Sequence, residues 1–161
     1  MPKYHMRKKE REIIDKNLLS EILRNGKYVV ISMCRDNEPY VVSLSYGYDE
    51  KQNAIFFHCS PQGLKLDFIR QNPSVCATVI EDRGYKMGDC SHAYRSVVFW
   101  GKMYRIDGLA EKKHAINVLL EHLEDEPDRI REKSLKSDED YKEVGVLRLD
   151  ITEMTGKKSD Q

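Results

Sequence analysis

The segment from Tyr28 to Cys59 constrains the fold most strongly, because short β-prone runs alternate there with short turn sequences. The hydrophobic period is two residues, which predicts strands whose side chains alternate between two faces. Connections this short join antiparallel strands, whereas parallel strands need a crossover of a dozen or more residues. The predicted strands and turns lie, in order, at 28–34, 36–38, 39–48, 49–53 and 54–59. This segment therefore predicts an antiparallel meander.

Three helices and three further strands are predicted in the rest of the chain. Apolar residues at three- and four-residue intervals predict the helices, and β-prone runs predict the strands. The helices are predicted at 11–25, 60–71 and 110–123, and the strands at 74–81, 94–107 and 144–151. Gly101 is expected to mark a bend or bulge, 82–93 a loop, and 124–142 irregular chain or a surface helix. The fold class is α+β, mainly β: a six-stranded, barrel-like antiparallel sheet with peripheral helices.

Length and charge exclude several broad classes of protein. The 161 residues predict a single domain spanning 1–161, with flexible tails at 1–10 and 157–161. Lys and Arg (27) balance Asp and Glu (27), so no overall charge favours nucleic acid or an anionic membrane. No apolar run reaches the length of a membrane span, and the N-terminus lacks the apolar core of a signal peptide. We expect a cytoplasmic protein.

Metal and hydrolase chemistry find little support in the sequence. The four cysteines lie far apart without the paired spacing of a zinc site, so we expect free thiols and no metal. No HExxH or GxSxG motif is present. A Rossmann fold is also disfavoured, since no GxGxxG motif follows a predicted strand.

The transition from the third strand to the second helix has the features of an anion site. Ser60 is predicted to be the N-cap of this helix and Pro61 its first residue. Lys65 then meets the positive end of the helix dipole, an unfavourable position for a cation unless an anion binds there. Gly63 lets a ligand approach the free backbone N–H groups closely. His58, Ser60, Gly63 and Lys65 are interpreted either as a phosphate cradle or as an ordinary capped helix with a solvated lysine.

The second predicted strand carries small polar residues on one face. Ser43 and Ser45 share this face with Val41 and Gly47, and larger residues occupy the other face. Two serines there leave room for a flat ligand and offer it hydrogen bonds. A half-solvated strand whose serines face water explains the same pattern.

Four segments of the sequence resemble, in the same order, the flavin-binding split-barrel family related to pyridoxamine 5′-phosphate oxidase. The nitroimidazole-resistance-type branch is the most similar. The His-x-Ser-x-x-Gly-x-Lys pattern that begins at His58 is the most specific element, and the resemblance covers nearly the whole chain. The segments are 38–48, 56–67, 72–75 and 94–97 with Gly101.

The resemblance implies a homodimer of six-stranded split barrels with FMN at the subunit interface. Residues Val42, Ser43, Leu44, Ser45 and Tyr46 would lie along the isoalloxazine ring and ribityl chain. The phosphate end would be held by His58, Ser60 and Lys65, with Gly63 beside them. Tyr94, Ser96 and Val97 would approach the flavin from the partner subunit or line the pocket. The chain departs from the family pattern at Ser43, where relatives often carry proline, and at Cys59 and Pro61.

The implied function is that of an FMN-dependent oxidoreductase, of the type that reduces nitroaromatic or related small acceptors with NADH or NADPH as donor. Alternatives are a flavin-binding protein without turnover, acting in sensing, storage or electron transfer, and a relative that binds heme or deazaflavin. Pyridoxamine phosphate oxidation is disfavoured, because Arg148 is the only arginine in the last predicted strand. No catalytic residue can be assigned; His58, Tyr46 and Arg95 are candidate proton donors only because they lie near the motifs.

Overall fold

The computed structural model describes residues 6–159, and within them eight strands form one antiparallel sheet. The strands are β1 (Glu12–Ile13), β2 (Tyr28–Arg35), β3 (Glu38–Ser45), β4 (Gly47–Asp49), β5 (Ala54–Cys59), β6 (Ser74–Lys86), β7 (Ser91–Ile106) and β8 (Gly145–Ser159). The helices are α1 (Lys16–Asn25), α2 (Leu64–Gln71), α3 (Leu109–Leu123), α4 (Pro127–Ser134) and α5 (Asp138–Glu143).

The sheet has the order β3-β2-β6-β7-β8-β5-β4, with β1 added alongside β8. The six long strands match the predicted split barrel, and the two additional ones, β1 and β4, are only two and three residues long. The predicted strand 39–48 is interrupted at Tyr46. Residues before Tyr46 pair with β2 and residues after it pair with β5, so the chain passes there from one half of the barrel to the other.

Two apolar clusters hold these layers together. The larger one fills the concave side of the sheet and includes Ile31, Phe57, Phe99 and Leu149, all fully buried. The smaller one packs α3 on the opposite side of β5 and β8. Because residues of β5 alternate between the two clusters, nearly every side chain of this strand is buried. The helix α3 is thereby fixed beside the strand that leads into the predicted phosphate motif.

The first helix begins five residues later than predicted. A carboxylate oxygen of Asp15 accepts the backbone N–H of Asn17 at 2.8 Å, which caps the helix at Lys16. Ile13 belongs to β1 instead and lies opposite Gly156 of β8. Within the predicted flexible tail 1–10, Met6 is buried and Lys9–Arg11 form a 3₁₀ turn. Residues 1–5 of that predicted tail lie outside the described residues.

The β6–β7 hairpin replaces the predicted loop at 82–93. The ladder shifts register between Asp82 and Tyr85 and then continues to the turn between Lys86 and Ser91. The last strand is also longer than predicted, because its residues after Ile151 pair with β7 as far as Ser159. Of the predicted flexible tail 157–161, residues 157–159 belong to this strand and residues 160–161 lie outside the described part. The bulge predicted at Gly101 is confirmed by a shift in the β7–β8 pairing at Trp100/Gly101.

The charged segment 124–142 folds into the two short surface helices α4 and α5. Ser137 and Asp140 form a reciprocal capping box that starts α5. Both helices pack against α3 rather than against the sheet. Of the helices in the described part of the chain, none is long and apolar enough to cross a membrane.

Candidate functional site

The outer face of β3 presents the two predicted serines as the sequence indicated. Tyr40, Val42 and Leu44 point inward and pack against the large cluster, with the Tyr40 ring 5.1 Å from that of Phe68. Ser43 and Ser45 are exposed on the opposite face. Alternation along the strand thus separates a packing face from a polar face that a ligand can reach.

The connection from β5 to α2 differs from the predicted cap. The helix starts at Leu64, not at Ser60, and its N-cap position is Gly63, whose φ of 151° and ψ of 161° are essentially restricted to glycine. The predicted roles of Ser60 as N-cap and Pro61 as first helical residue are therefore wrong. Both precede the helix because the chain needs residues 60–63 to turn away from the sheet.

This later helix start places Lys65 in the first turn of α2. Its neighbours Gly63 and Leu64 carry backbone N–H groups that begin the helix and have no acceptor within it. A Cβ at Gly63 would meet no heavy atom within 4 Å, so the space in front of the helix start is open. Among residues 6–159 no carboxylate pairs with the Lys65 ammonium. Open N–H groups and an unpaired cation together make this helix start able to bind an anion.

One more cation reaches the same turn from a distant part of the sequence, and a buried lysine acts on the neighbouring Cys59. Arg105, at the end of β7, donates from Nη1 to the Pro61 carbonyl at 3.3 Å. Lys112, near the start of α3, is buried and donates to the Lys142 carbonyl at 2.7 Å. Burial raises the pKa of the Cys59 thiol, while Lys65, Arg105 and Lys112 act in the opposite direction. We call these three cations around Cys59 the cation site.

Sequence reasoning missed Arg105 and Lys112. Neither belongs to a local motif, and both lie more than forty residues from the loop they approach. Only the pairing of β8 with both β5 and β7 brings the end of β7 beside Cys59. No local sequence signal could have identified them.

A groove of about 500 Å³ lies between the sheet and the helices. It brings together four of the residues predicted to bind flavin, since Ser43, Leu44, Ser45 and His58 all line it. Its remaining wall comes from α3, α4 and the residues next to them. That wall consists of Ile116, Leu119, Leu120, Leu123, Glu124, Ile130, Ser134, Leu135 and Val144. A mostly apolar cavity with a few polar groups at one side has the character of a small-molecule site.

Tyr46 and Val97 do not present their side chains to this groove. Both are fully buried in the large cluster, and the Tyr46 hydroxyl donates to the Leu23 carbonyl at 2.6 Å. Burial also raises the pKa of the Tyr46 phenol far above its ordinary value. Tyr46 is therefore unsuited to proton donation, and a flavin contact from either residue could involve only its backbone.

Tyr94 and Ser96 lie on the outer face of the sheet, away from the groove of their own chain. Ser96 pairs with Ile80. Two residues further along β7, Val98 begins a row of paired residues that crosses four strands. The row consists of Val98, Thr78, Val30 and Ser43. At about 4.8 Å per strand, the two ends of such a row are about 14 Å apart. One chain therefore does not bring Tyr94 and Ser96 together with the serines of β3.

Arg95 is held by two carboxylates. Its Nη2 lies 2.5 Å from Glu81 and 3.0 Å from Glu21, and its guanidinium is mostly buried. The Glu81 carboxylate raises the pKa of Arg95 above its ordinary value, so this residue is a poor proton donor. Of the three candidate donors, only His58 lines the groove.

No group of three or more His, Cys, Asp or Glu residues in the described range 6–159 could hold a metal ion. The four cysteines, Cys34, Cys59, Cys76 and Cys90, carry free thiols. His58 lines the groove, whereas Ser60, Gly63 and Lys65 of the same predicted motif do not.

Comparison with known proteins agrees with this geometry. Residues 15–158 match the family model described as pyridoxamine 5′-phosphate oxidase. No protein of curated function matches the sequence. A proposed 5-nitroimidazole antibiotic resistance protein from Bacteroides thetaiotaomicron VPI-5482 has a similar structure, with a TM-score of 0.74 and 26% identity over 91% of this chain and 85% of that one.

Two more distant structures share the fold. The flavocytochrome Anf3 from Azotobacter vinelandii has a TM-score of 0.79 and 16% identity, covering 98% of this chain and 73% of that one. The FAD and heme binding protein from Mycobacterium smegmatis has a TM-score of 0.76 and 16% identity, covering 94% of this chain and 74% of that one.

Proposed function

Because the chain belongs to the pyridoxamine 5′-phosphate oxidase family, whose members bind flavins, we propose that it is an FMN-dependent oxidoreductase that reduces small aromatic acceptors such as nitro compounds. The observation that carries the proposal is the open start of α2, where Lys65 stands in the first turn and Arg105 donates to the Pro61 carbonyl of the preceding turn. A phosphate group is the anion that this family's cofactor would bring there.

The residues of the chain fit such a cofactor. Lys65, Arg105 and the first N–H groups of α2 would bind the phosphate, and Ser60 and His58 would add hydrogen bonds. Ser43 and Ser45 would hold the flat ring system through their hydroxyls and the neighbouring backbone. When bound, FMN supplies the chemistry of hydride and electron transfer, while the protein contributes binding, orientation and electrostatics.

His58 would be the proton-exchanging group nearest the ring. It lines the groove, and its imidazole has no hydrogen-bond partner among residues 6–159, so it can face a ligand. The nitro-compound assignment is supported by the resemblance to the proposed 5-nitroimidazole antibiotic resistance protein. Oxidation of pyridoxamine phosphate is disfavoured because Arg148 is already held by Asp150 and Glu111.

The proposal includes a homodimer with the flavin between subunits. Tyr28, Val41 and Ile80 expose 63%, 58% and 57% of their surface on the outer sheet face, which is unusual for large apolar side chains in a monomer. The same face carries Ser43 and Val98 about 14 Å apart, with Ser96 two residues from Val98 along β7. A twofold partner on this face would bring its own β7 residues opposite the serines of β3.

Two measurements test the proposal in order. The purified protein should be yellow, and mass spectrometry of the released cofactor should identify FMN. The loaded protein should then oxidise NADH or NADPH only when a nitro compound is added. A colourless protein that does not bind added FMN would exclude the proposal, and bound FMN without turnover would make the protein a flavin binder and not an enzyme.

A further inference from the structure

Helices α3 and α4 form one wall of the groove, and the composition of this wall suits an uncharged ligand. Ile130 and Leu135, in and just after α4, extend the apolar surface that α3 provides with Leu120 and Leu123. We call these four residues the helical wall. The helical side of the groove is mainly aliphatic, with Glu124 and Ser134 as its polar residues, whereas β3 and β5 contribute two serines and His58.

No lysine or arginine is found among the described residues that line the groove. Glu124, which is exposed, is the one carboxylate there, and His58 is the one imidazole. Of the cations of α4, Arg131 is held by Glu121 and Asp128 at 2.5 Å each and by Asn117 at 2.9 Å. Arg129 and Lys133 line a neighbouring cleft and not the groove. An anionic ligand group placed inside the groove would therefore find no lysine or arginine among the residues that line it.

Transfer of an unpaired charge into apolar surroundings is unfavourable, whereas an uncharged ring gains from the same contact. We propose that the helical wall binds the electron acceptor and selects uncharged, apolar ring compounds over their anionic analogues. This inference rests on the proposed function, because it identifies the helical wall as the acceptor side of the flavin site.

The helical wall is also held in place, as a specificity element needs to be. The Arg131 contacts fasten α4 to α3, and Lys113 lies 2.5 Å from Asp138 at the start of α5. At the C-terminal end of α5, Lys112 of α3 donates a hydrogen bond to the Lys142 carbonyl. With α4 and α5 fastened at several points, the wall has a defined shape before a ligand binds.

Equilibrium dialysis of nitrotoluene and nitrobenzenesulfonate tests the proposal, since the two compounds carry a methyl or a sulfonate at the same ring position. The variants are Ile130→Lys, which places a cation in the helical wall, and Glu132→Gln, which makes the same change in net charge on an exposed residue of α4 outside the groove. If Ile130→Lys does not fold, Leu135→Lys replaces it as the variant that places a cation in the helical wall. Each protein is measured with and without FMN.

We expect the wild type to bind nitrotoluene at least about tenfold more tightly than the sulfonate, and Ile130→Lys to reduce that ratio about tenfold. Glu132→Gln should keep the wild-type ratio. Equal binding of both compounds by the wild type would overturn the proposal. Weaker FMN binding by Ile130→Lys with an unchanged ratio of nitrotoluene to sulfonate affinity would also overturn it, because the helical wall would then contact the flavin and not the acceptor. A protein that binds no FMN would contradict the proposed function alone, because the ratio is also measured without it.

Discussion

Lys65 is the residue through which the anion site can be tested most directly. It stands in the first turn of α2, where a cation opposes the helix dipole, and no carboxylate among residues 6–159 pairs with its ammonium, since Asp67 of the same turn pairs with Arg70. Such a lysine contributes little to the stability of the free protein. Its contribution is expected when an anion binds.

Replacement of Lys65 by alanine should therefore weaken FMN binding and leave the fold intact. A hydrogen bond to a charged group contributes about 1.5–3 kcal/mol, which corresponds to an increase of about 10- to 100-fold in Kd. Fluorescence titration of FMN measures the affinity and thermal unfolding measures the stability. Lys51→Ala, in an exposed turn outside the site, is the control and should change neither. Unchanged affinity in Lys65→Ala would remove the lysine from the phosphate site.

His122 makes stability depend on pH. Its Nε2 donates to the Gly26 carbonyl at 2.6 Å, and its Nδ1 accepts the Tyr48 N–H at 3.4 Å, which requires the neutral ring. Burial lowers the pKa of His122 below its ordinary value, and Lys27 acts in the same direction, whereas the bond to Gly26 opposes it. The unfolded chain, with a histidine pKa of about 6.5, therefore binds protons more readily than the folded one.

The free energy of unfolding should consequently fall as the pH drops from about 6.5 through the lower pKa of folded His122. Urea unfolding at a series of pH values measures this slope. His122→Gln should be less stable at neutral pH but should lose less stability on acidification than the wild type. Parallel curves for the two proteins would show that another group is responsible.

At the scale of elements, the β5–α2 connection determines where the helix dipole points. Gly63 has a φ of 151°, which residues with a side chain rarely adopt, and this conformation starts the helix at Leu64. The space in front of Gly63 is open, so a methyl group there would be strained by its backbone conformation and not by contact.

Gly63→Ala should destabilise the connection by about 1–3 kcal/mol and shift the helix start away from the geometry that binds the anion. FMN binding should weaken together with stability. Gly88→Ala is the matched control, because Gly88 has a φ of 88° in the distant β6–β7 hairpin and also has open space around it. It should lower stability without affecting FMN affinity. The same loss of affinity in both variants would assign the effect to general destabilisation.

At the scale of the whole molecule, the outer sheet face decides whether the site is complete in one chain. The groove contains the serines of β3 and His58, but Tyr94 and Ser96 lie on another part of that face and do not line the groove. Association through the face would join the two sets of residues.

Val41→Arg should yield a monomer with weaker FMN binding, because it places a charge in the centre of the proposed interface. Analytical ultracentrifugation measures the mass of the particle, and the flavin content of the purified protein measures the occupancy of the FMN site. The control is Ile14→Arg, which changes an even more exposed isoleucine (82%) outside the outer sheet face. A wild type that is monomeric yet retains FMN would contradict the dimeric site.

Much of the architecture could be read from local sequence because the physical causes are local. The two-residue period predicted the six long strands, including β5 at its observed bounds, and the three- to four-residue period predicted three helices that exist. Element ends were less accurate. Asp15 caps α1 later than expected, and Gly63 rather than Ser60 precedes α2, since a cap depends on which competing residue adopts the required backbone geometry.

The features of the candidate site also fall into two groups, those predicted from local sequence and those that depend on the tertiary structure. Sequence alone determined the polar face of β3 and the His58 to Lys65 motif, because alternation along a strand and position in a helix turn are properties of neighbouring residues. Tertiary structure alone decided that Arg105 and Lys112 join Lys65, that Tyr46 is buried, and that α4 walls the groove. These depend on strand pairing and helix packing between residues far apart in the chain, which no local pattern encodes.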